Sequence, residues 1–256
     1  MNGAPDVEPD LQTENNHDSP SAHSSGPVSF AEGYERWAST YDGAPNPLLA
    51  CEERYVAPLL TELGEKSVLD LACGTGRWLE RVTALGCSSG VGLDCSSAML
   101  RVAAGKNGIR RRLVRATCEC LPFPDAGFDL AICSFALGHI ADLGSAAHEI
   151  ARVTRTGADV LVSDLHPAAY AQGWRVGFRD GEAPVQIEMW SRPVDEIVQT
   201  FCSNGFECRS RASLWLGAPE EALFAQAGKL DSFADACQLP AVLVCQFRRR
   251  PVEAYP

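Results

Sequence analysis

The 256-residue chain lacks several features that mark other classes of protein. It has no run of about 18 apolar residues, the length that a membrane-spanning helix needs. Its start has neither the basic residues nor the apolar centre of a secretory signal. None of its eleven cysteines forms a C-x-x-C pair, and several lie inside apolar runs, which indicates free buried thiols rather than disulfides or a zinc site. We therefore expect a cytoplasmic protein with no metal site and no membrane partner.

Basic residues are also few. The chain has 22 Lys and Arg against 33 Asp and Glu, a net charge of −11, so we expect no nucleic-acid partner. Residues 1–28 contain no basic residue and are rich in Pro, Ser, Asn and Gly. Such a segment buries too little apolar surface to offset its ordering entropy. The composition predicts a disordered acidic leader over residues 1–28 and one folded domain over residues 29–256.

Strand and helix patterns alternate within the predicted domain. Strand-like runs cover residues 67–72, 90–94, 112–116, 128–134, 159–164, 206–214 and 241–247. Helical patterns lie near residues 77–85, 96–104, 144–152 and 194–203. Strands that alternate with helices of this length are joined by right-handed crossovers. The pattern predicts an α/β fold with a seven-stranded, mostly parallel, doubly wound sheet.

A glycine-containing turn follows the first of these strands. The segment Val68-Leu-Asp-Leu-Ala-Cys-Gly-Thr-Gly-Arg77 places Gly74 and Gly76 where the backbone must adopt positive φ or let a ligand approach closely. Asp94 ends the next strand, 18 residues after Gly76. A carboxylate there can accept hydrogen bonds from both ribose hydroxyls of an adenosine-containing ligand. We expect this ligand at the carboxyl ends of the strands.

Two details of the turn separate a dinucleotide from a sulfonium ligand. The dinucleotide fingerprint G-x-G-x-x-G/A needs a third small residue, and Leu79 occupies that position. Asp70, four residues before Gly74, would repel a pyrophosphate but favour an ammonium or a sulfonium. The spacing favours a methionine-derived sulfonium. An NAD-dependent oxidoreductase and a non-catalytic cofactor-binding module on the same fold stay as alternatives.

These residues carry a family resemblance. Asp70-Leu-Ala-Cys-Gly-Thr-Gly76 resembles motif I, D-x-[GA]-x-G-x-G, of class I S-adenosylmethionine-dependent methyltransferases. The segment that starts at Val91 resembles their second motif with its D-x-S-x-x-M-L continuation, and the segment from Leu121 to Ser134 resembles LPFPDxxFDxVxS. Tyr34-Glu-Arg-Trp-Ala-Ser-Thr-Tyr-Asp42 looks like the A-x-x-Y-D lid of the quinone-biosynthesis and malonyl carrier-protein branches. The match covers residues 30–165 well and the remainder only by strand pattern.

The resemblance implies a cofactor, S-adenosyl-L-methionine, and a role for each motif I residue. Asp70 would lie near the methionine ammonium, and Gly74 and Gly76 would line the methionine and ribose portion. Asp94 would hold the ribose diol. The implied activity is methyl transfer to a small-molecule or acyl acceptor by in-line displacement.

The resemblance also implies contacts outside motif I. Tyr41 would close over the cofactor, and Ser134 would lie near its methionine portion. The family often has D-A-E before the LPF segment, where this chain has Thr117-Cys118-Glu119, so an Asp that usually contacts the adenine amine is absent. The backbone N–H of Cys118 can take over part of that contact.

Residues 166–193 are predicted to form a small substrate cap inserted after the fifth strand. The aromatic and Met residues of this segment suit a small organic or acyl acceptor, although a plain packing role is an alternative; they are Tyr170, Trp174, Phe178, Met189 and Trp190. His166, held in extended conformations by Pro167, is the candidate general base. His139 and His148 are interpreted as supporting residues, with a base role for His139 as the alternative. The acceptor, its methylated atom and the oligomeric state do not follow from the sequence.

Overall fold

The computed structural model describes residues 26–181 and 183–251. Seven strands form one sheet in the order β3-β2-β1-β4-β5-β9-β8, and β6 and β7 form a separate hairpin. The strands are β1 Ser67–Leu71, β2 Ser89–Asp94, β3 Leu113–Arg115, β4 Phe128–Ser134, β5 Thr154–Leu165, β6 Gly177–Asp180, β7 Ala183–Gln186, β8 Phe206–Leu214 and β9 Val242–Arg249. Strands β1 to β5 are parallel, and β9 runs antiparallel to both of its neighbours. The predicted seven-stranded, mostly parallel sheet is confirmed.

Helices cover both faces of the sheet. They are α1 Phe30–Trp37, α2 Pro47–Val56, α3 Arg77–Ala84, α4 Ser97–Ala103, α5 Leu143–Val153, α6 Pro167–Ala171, α7 Val194–Ser203, α8 Ala218–Gln226 and α9 Phe233–Ala236, with 3-10 turns at Tyr41–Gly43, Ala57–Leu59, Leu137–His139 and Leu230–Ser232. One apolar cluster joins the sheet to α5 and α7, and a second joins it to α2, α3, α4 and α8. The doubly wound arrangement follows, because each face of the sheet is apolar.

Leu79 shows how α3 packs against β2. Its side chain is fully buried. A Cβ on Gly92 would lie 2.9 Å from Leu79 Cδ2, and one on Gly90 would lie 3.1 Å from Leu79 Cδ1. The two glycines of β2 therefore provide the space that the third small residue of the helix provides in dinucleotide-binding folds.

Several elements differ from the sequence patterns. β5 starts at Thr154, five residues before the predicted strand of residues 159–164. Gly157 has φ +82° and the pairing with β4 shifts register between Phe128 and Leu130, so this first part of β5 has no regular apolar pattern. Helices α1, α2, α6, α8 and α9 were not predicted; α1 contacts α4 and β6, and α2 contacts α8 as well as β9.

The cap segment, residues 166–193, leaves the sheet after β5. It contains α6 and the β6–β7 hairpin, and β6 contacts α1. The Phe178 ring stacks on Trp37 with 5.3 Å between centroids, and Arg36 Nη2 donates to Asp180 Oδ2 at 2.7 Å. Across the described ranges, no helix is both long enough and apolar enough to pass through a membrane.

The last three residues of the predicted leader, 26–28, lie within the described part of the chain. Residues 1–25 lie outside the described part of the chain. Val28 is part of the fold, because its N–H donates to the Gln186 carbonyl at 2.9 Å and its carbonyl accepts from the Glu188 N–H at 2.8 Å. Composition alone does not distinguish Val28, an apolar residue with hydrogen bonds to the fold, from the residues that precede it.

Two truncations test this boundary. Removal of residues 1–25 should leave the melting temperature unchanged, because their composition offers no apolar face to bury. Removal of residues 1–28 also deletes the two Val28 hydrogen bonds, at about 1 kcal/mol each, and should lower the melting temperature by about 2–8 °C. Calorimetry of both proteins beside the full chain measures the difference. Equal melting temperatures for the two truncations would contradict a structural role for Val28.

Candidate active site

The turn between β1 and α3 is held by backbone hydrogen bonds. The Cys73 N–H donates to the Leu93 carbonyl at 2.8 Å, and Gly74 and Gly76 have φ +55° and +80°. A Cβ on Gly74 would meet nothing within 4 Å, whereas one on Gly76 would lie 2.6 Å from Ile109 Cδ1. Gly74 thus leaves open space for a ligand. Gly76 is required by packing, and its predicted contact with the cofactor stays a prediction.

Asp70 projects from β1 toward α3. Side chains alternate along the strand, so Leu69 and Leu71 enter the cluster with α5 and α7 and Asp70 faces the opposite side. Its Oδ2 accepts from the Leu79 N–H at 2.8 Å. Burial raises the pKa of Asp70 to about 7, although the Leu79 bond opposes this shift. An ammonium group beside this carboxylate would favour its ionised form.

Asp94 links the end of β2 to the glycine turn. Its Oδ2 accepts from the Gly74 N–H and its Oδ1 from the Ser96 N–H, both at 2.8 Å. The residue is only 8 % exposed, and burial raises its pKa. Each carboxylate oxygen keeps lone-pair capacity for a further donor, so the arrangement fits a ribose diol.

A buried carboxylate from α2 enters the site, which the sequence analysis missed. Glu52 is 1 % exposed. Its Oε1 accepts from Ser134 Oγ at 2.7 Å and also from Ser163 Oγ, and its Oε2 accepts from Arg77. Ser134 accepts in turn from Arg77 Nη2 at 3.1 Å. Ser134 therefore lies at the end of β4 as predicted, as a member of a polar network. The available sequence signal is Glu52 itself, a charged residue in the apolar run of α2.

Arg77 carries an unsatisfied donor in this network. Its Nη1 is buried and makes no hydrogen bond within the described residues, and Glu53 Oε2 lies 3.9 Å away. The guanidinium lies over the Trp78 ring, 4.6 Å from the centroid. A buried N–H donor without a hydrogen-bond partner fits an anionic ligand group such as the carboxylate of a methionine portion. The sequence signal that was available for Arg77 is its position directly after Gly76.

The lid, residues 30–43, contacts the glycine turn directly. Asp42 Oδ1 accepts from Thr75 Oγ1 at 2.6 Å, and Asp42 Oδ2 pairs with Lys106 Nζ at 2.9 Å. The Tyr41 ring lies edge-on to Trp37, with centroids 4.8 Å apart. Burial raises the pKa of Tyr41 to about 12, so it is a neutral phenol at neutral pH. Tyr41 directly precedes Asp42, which contacts the turn, and its predicted closure over the cofactor stays a prediction.

A second contact fixes the lid to α4. Glu35 Oε1 accepts from Ser96 Oγ at 3.0 Å and from the Ala98 N–H at 3.1 Å. The Ala98 bond is the main reason that the pKa of Glu35 is lowered. A carboxylate at a helix N-terminus is favourable for the helix dipole. The lid therefore crosses the start of α4, next to Asp94.

A cavity of about 590 Å³ lies between the lid, the cap segment and α8–α9. The end of β5 and the residue after β4 contribute to its wall. Its aromatic lining residues are Tyr34, Trp37, Tyr41, Phe135, Trp174 and Phe224. The volume suits a small organic ligand.

Of the predicted site residues, Tyr41 lines this cavity, whereas Asp70, Gly74, Gly76, Asp94, Cys118, Ser134 and His166 do not. Cys118 is buried in the turn after β3, and burial raises the pKa of its thiol. His166 caps α6, because its Nδ1 accepts from the Ala168 N–H at 3.1 Å and its Nε2 contacts Ser213 Oγ at 3.1 Å. Both ring nitrogens are occupied, so this geometry supports a capping role. The catalytic role of His166 stays a prediction.

Comparisons with known proteins agree with this architecture. A methyltransferase-domain family model matches residues 68–157. The chain is 33 % identical over 162 residues to demethylmenaquinone methyltransferase of Thermobifida fusca, which covers 58 % of this chain and 68 % of that protein. It is 31 % identical over 140 residues to malonyl-[acyl-carrier protein] O-methyltransferase of Yersinia pestis, which covers 53 % of this chain. The match spans only half of the Yersinia protein.

A solved structure shares the fold. The S-adenosylmethionine-dependent methyltransferase of Mesorhizobium loti aligns with a TM-score of 0.62 at 21 % identity, over 80 % of this chain and 100 % of that one. The sheet order and the glycine turn define a Rossmann-like methyltransferase fold. With the relatives above, the chain belongs to the class I S-adenosylmethionine-dependent methyltransferases, and the predicted family is confirmed.

Alanine substitutions at the two glycines separate packing from ligand access. Gly76→Ala combines a left-handed backbone, costing about 1–2 kcal/mol, with overpacking against Ile109, costing about 1–3 kcal/mol. Gly74→Ala carries only the backbone cost but fills the open space of the turn. Urea unfolding should show the larger stability loss for Gly76→Ala. Calorimetry should show at least about tenfold weaker S-adenosylmethionine binding for Gly74→Ala, or about 1.4 kcal/mol. The reverse pattern would contradict these roles.

Two substitutions test the ribose contact of Asp94. Asp94→Asn keeps one acceptor oxygen but loses the charge and one of the two backbone hydrogen bonds, so S-adenosylmethionine should bind about 1.5–3 kcal/mol more weakly, with a smaller loss of melting temperature than in Asp94→Ala. Asp94→Ala should lose both affinity and stability, because Gly74 and Ser96 lose their acceptor. Calorimetry and thermal unfolding measure the two effects. If Asp94→Asn binds S-adenosylmethionine with wild-type affinity, the assignment of Asp94 to the ribose diol is contradicted.

Proposed function

We propose that the protein transfers a methyl group from S-adenosylmethionine to a small, largely apolar acceptor held in the 590 Å³ cavity. The observation that carries this proposal is that one segment, the lid, both lines the cavity and contacts the glycine turn. Tyr41 lines the cavity and belongs to the same lid segment as Asp42, which contacts Thr75 of the glycine turn. An acceptor in the cavity would lie beside the cofactor.

The residues that would hold the cofactor follow from the site. Asp94 would accept from the ribose diol, Gly74 would leave space for the methionine and ribose portion, and Asp70 would lie toward the ammonium. Arg77, supported by Glu52 and Ser134, would donate to the carboxylate through its unpartnered Nη1. The Cys118 backbone is proposed for the adenine side.

The cofactor supplies an activated methyl carbon on a sulfonium. The chain's own contribution is therefore alignment of the acceptor and exclusion of water, worth up to about 7–11 kcal/mol in well-oriented systems. The lid and the cap segment meet over the site through Trp37 and Phe178, which supports water exclusion. A small-molecule or acyl acceptor fits the apolar lining. Arg175 and Lys229 at the cavity suit an acceptor with an anionic end.

Cytoplasmic location and the absence of a nucleic-acid partner are part of the same proposal. The net charge of −11 supports the second point, because phosphate backbones are bound mainly by basic surfaces.

Binding and product formation test the function separately. Calorimetry with S-adenosylmethionine and with NAD decides between the methyltransferase and the oxidoreductase. Release of S-adenosylhomocysteine on incubation with fractionated metabolite pools then distinguishes an enzyme from a cofactor-binding module. Tight S-adenosylmethionine binding without release from any pool would favour the binding module, and preferential NAD binding would contradict the proposal.

A bulky substitution in the cavity wall should separate acceptor from cofactor. Ala227, an exposed residue at the end of α8, lines the cavity, whereas Ala225 on the same helix does not. Ala227→Trp should raise the KM for the acceptor from the screen at least about tenfold, or about 1.4 kcal/mol, with S-adenosylmethionine affinity unchanged. Ala225→Trp is the matched control and should match wild type. An unchanged acceptor KM in Ala227→Trp would place the acceptor elsewhere.

A further inference from the structure

A tyrosine and a histidine meet where the lid joins the cap segment. Tyr34 of α1 and His139 of the turn after β4 are 105 positions apart, and their side chains contact at 3.0 Å through Tyr34 Oη and His139 Nε2. The two rings are edge-on, with centroids 5.2 Å apart. On its other side, His139 Nδ1 lies 3.1 Å from the backbone carbonyl of Glu188 in the cap segment.

The contacts fix the direction of both hydrogen bonds. A carbonyl oxygen only accepts, so His139 Nδ1 must carry the proton that it donates to Glu188. The neutral imidazole then has its lone pair on Nε2, and the Tyr34 hydroxyl donates to it. Burial lowers the pKa of His139 to about 4, although the Glu188 bond opposes this shift, and burial raises the pKa of Tyr34. Both groups are therefore neutral at neutral pH.

This order resembles that of an activated hydroxyl in other enzymes: a hydroxyl, a base and a group that orients the base. Tyr34 also lines the acceptor cavity. Its surroundings include the carboxylates of Asp94 and Asp164, at the ends of β2 and β5. Tyr34 therefore lines the cavity and lies near the carboxyl ends of β2 and β5.

We propose that Tyr34 and His139 form a proton relay that deprotonates a hydroxylated aromatic acceptor as it is methylated. The inference rests on the proposed function and names its acceptor class. Tyr34 touches the acceptor, and His139 receives the proton through Tyr34. The sequence analysis interpreted His139 as a supporting residue and offered His166 as the base; the geometry favours His139, because Tyr34 connects it to the cavity and His166 caps α6.

In the proposed step, the acceptor O–H bond breaks and its proton moves to Tyr34 Oη, while the Tyr34 proton moves to His139 Nε2. The acceptor oxygen uses its electron pair to form the bond to the methyl carbon, and the bond from that carbon to sulfur breaks with its pair left on sulfur. The products are a methyl ether, S-adenosylhomocysteine and an imidazolium, which returns its proton to water when the lid opens.

The acceptor class follows from the need for a base and from the lining. Phenols and enols keep their proton at neutral pH and need a base, whereas a carboxylate does not. The cavity presents Trp37, Phe135 and Trp174, whose rings favour an aromatic body. Tyr34 itself shows that a phenol hydroxyl can hydrogen-bond to His139.

Glutamine substitution tests the relay, with a phenol series from phenol through 4-chlorophenol to 4-nitrophenol, in order of rising acidity, as acceptors. His139→Gln keeps hydrogen-bonding groups but cannot take up a proton, so turnover with phenol should fall about 10²-fold. The loss should shrink toward 4-nitrophenol, which is already partly ionised at neutral pH. S-adenosylmethionine affinity and melting temperature should match wild type. His148→Gln, on the exposed face of α5, is the matched control.

The paired variants give a second test. If Tyr34 and His139 act as one unit, Tyr34→Phe should lose about as much turnover as His139→Gln, and the double variant should lose no more than either. Losses that multiply would mean independent roles and overturn the relay. Retained turnover in His139→Gln, or a loss in His166→Gln instead, would also overturn it.

The ring titration of His139 gives a readout that needs no turnover. Its neighbours are the Tyr34 hydroxyl from the lid, the Phe30 ring, the Glu188 carbonyl from the cap segment and, beyond Gly138, the Asp164 carboxyl. Because the pKa is lowered from 6.5 to about 4, the His139 ring should stay neutral as pH falls below 6.5 and take up a proton only near pH 4. Histidine NMR resonances of wild type and His139→Gln locate this titration, and a His139 pKa near 6.5 would contradict the buried base.

The failures of the two proposals are distinguishable. A protein that does not bind S-adenosylmethionine contradicts the proposed function. A protein that binds it, and releases S-adenosylhomocysteine with metabolite pools but with no phenol, contradicts only this inference.

Discussion

Buried carboxylates at the carboxyl ends of the parallel strands are the constraint on which the site depends. A carboxylate out of water must be matched by hydrogen-bond donors, or its burial costs several kcal/mol. In this fold the donors are mainly the backbone N–H groups of the segments that follow the strands. Each carboxylate therefore fixes the path of a loop. The three residues are Asp70, Asp94 and Asp164, and Glu52 of α2 is buried beside them with side-chain donors instead.

Polar contacts also position the lid and the cap segment, which lie away from the sheet. Glu35 accepts from the N-terminus of α4, and Asp42 accepts from Thr75 of the glycine turn, so polar contacts position the lid beside a cavity with six aromatic lining residues. His139 joins the two segments through one nitrogen each. A site closed in this way excludes water while it keeps a short path for one proton, which links the architecture to the proposed chemistry.

Much of the fold was predictable from the sequence, because the strands between Ser67 and Arg249 can be recognised as apolar runs in the local sequence. The glycine turn and Asp94 were predictable for the same reason, since their spacing depends on one strand–turn–helix unit. The first part of β5, helix α1 and the buried position of Glu52 were not predictable, because the residues that they contact lie far away along the chain. The roles of His139 and His166 were likewise open, since a histidine's sequence neighbours do not show what its two nitrogens contact.

The sequence by itself determined the sheet, the position of the cofactor turn and the class of protein, since apolar periodicity and glycine positions act over short distances. Tertiary structure decided which glycine faces open space and which faces Ile109. It also decided that Glu52 meets Arg77 and that Tyr34 meets His139, 105 positions away. Such pairs depend on how separate helices dock at one sheet edge, and the satisfaction of buried polar groups is settled only there.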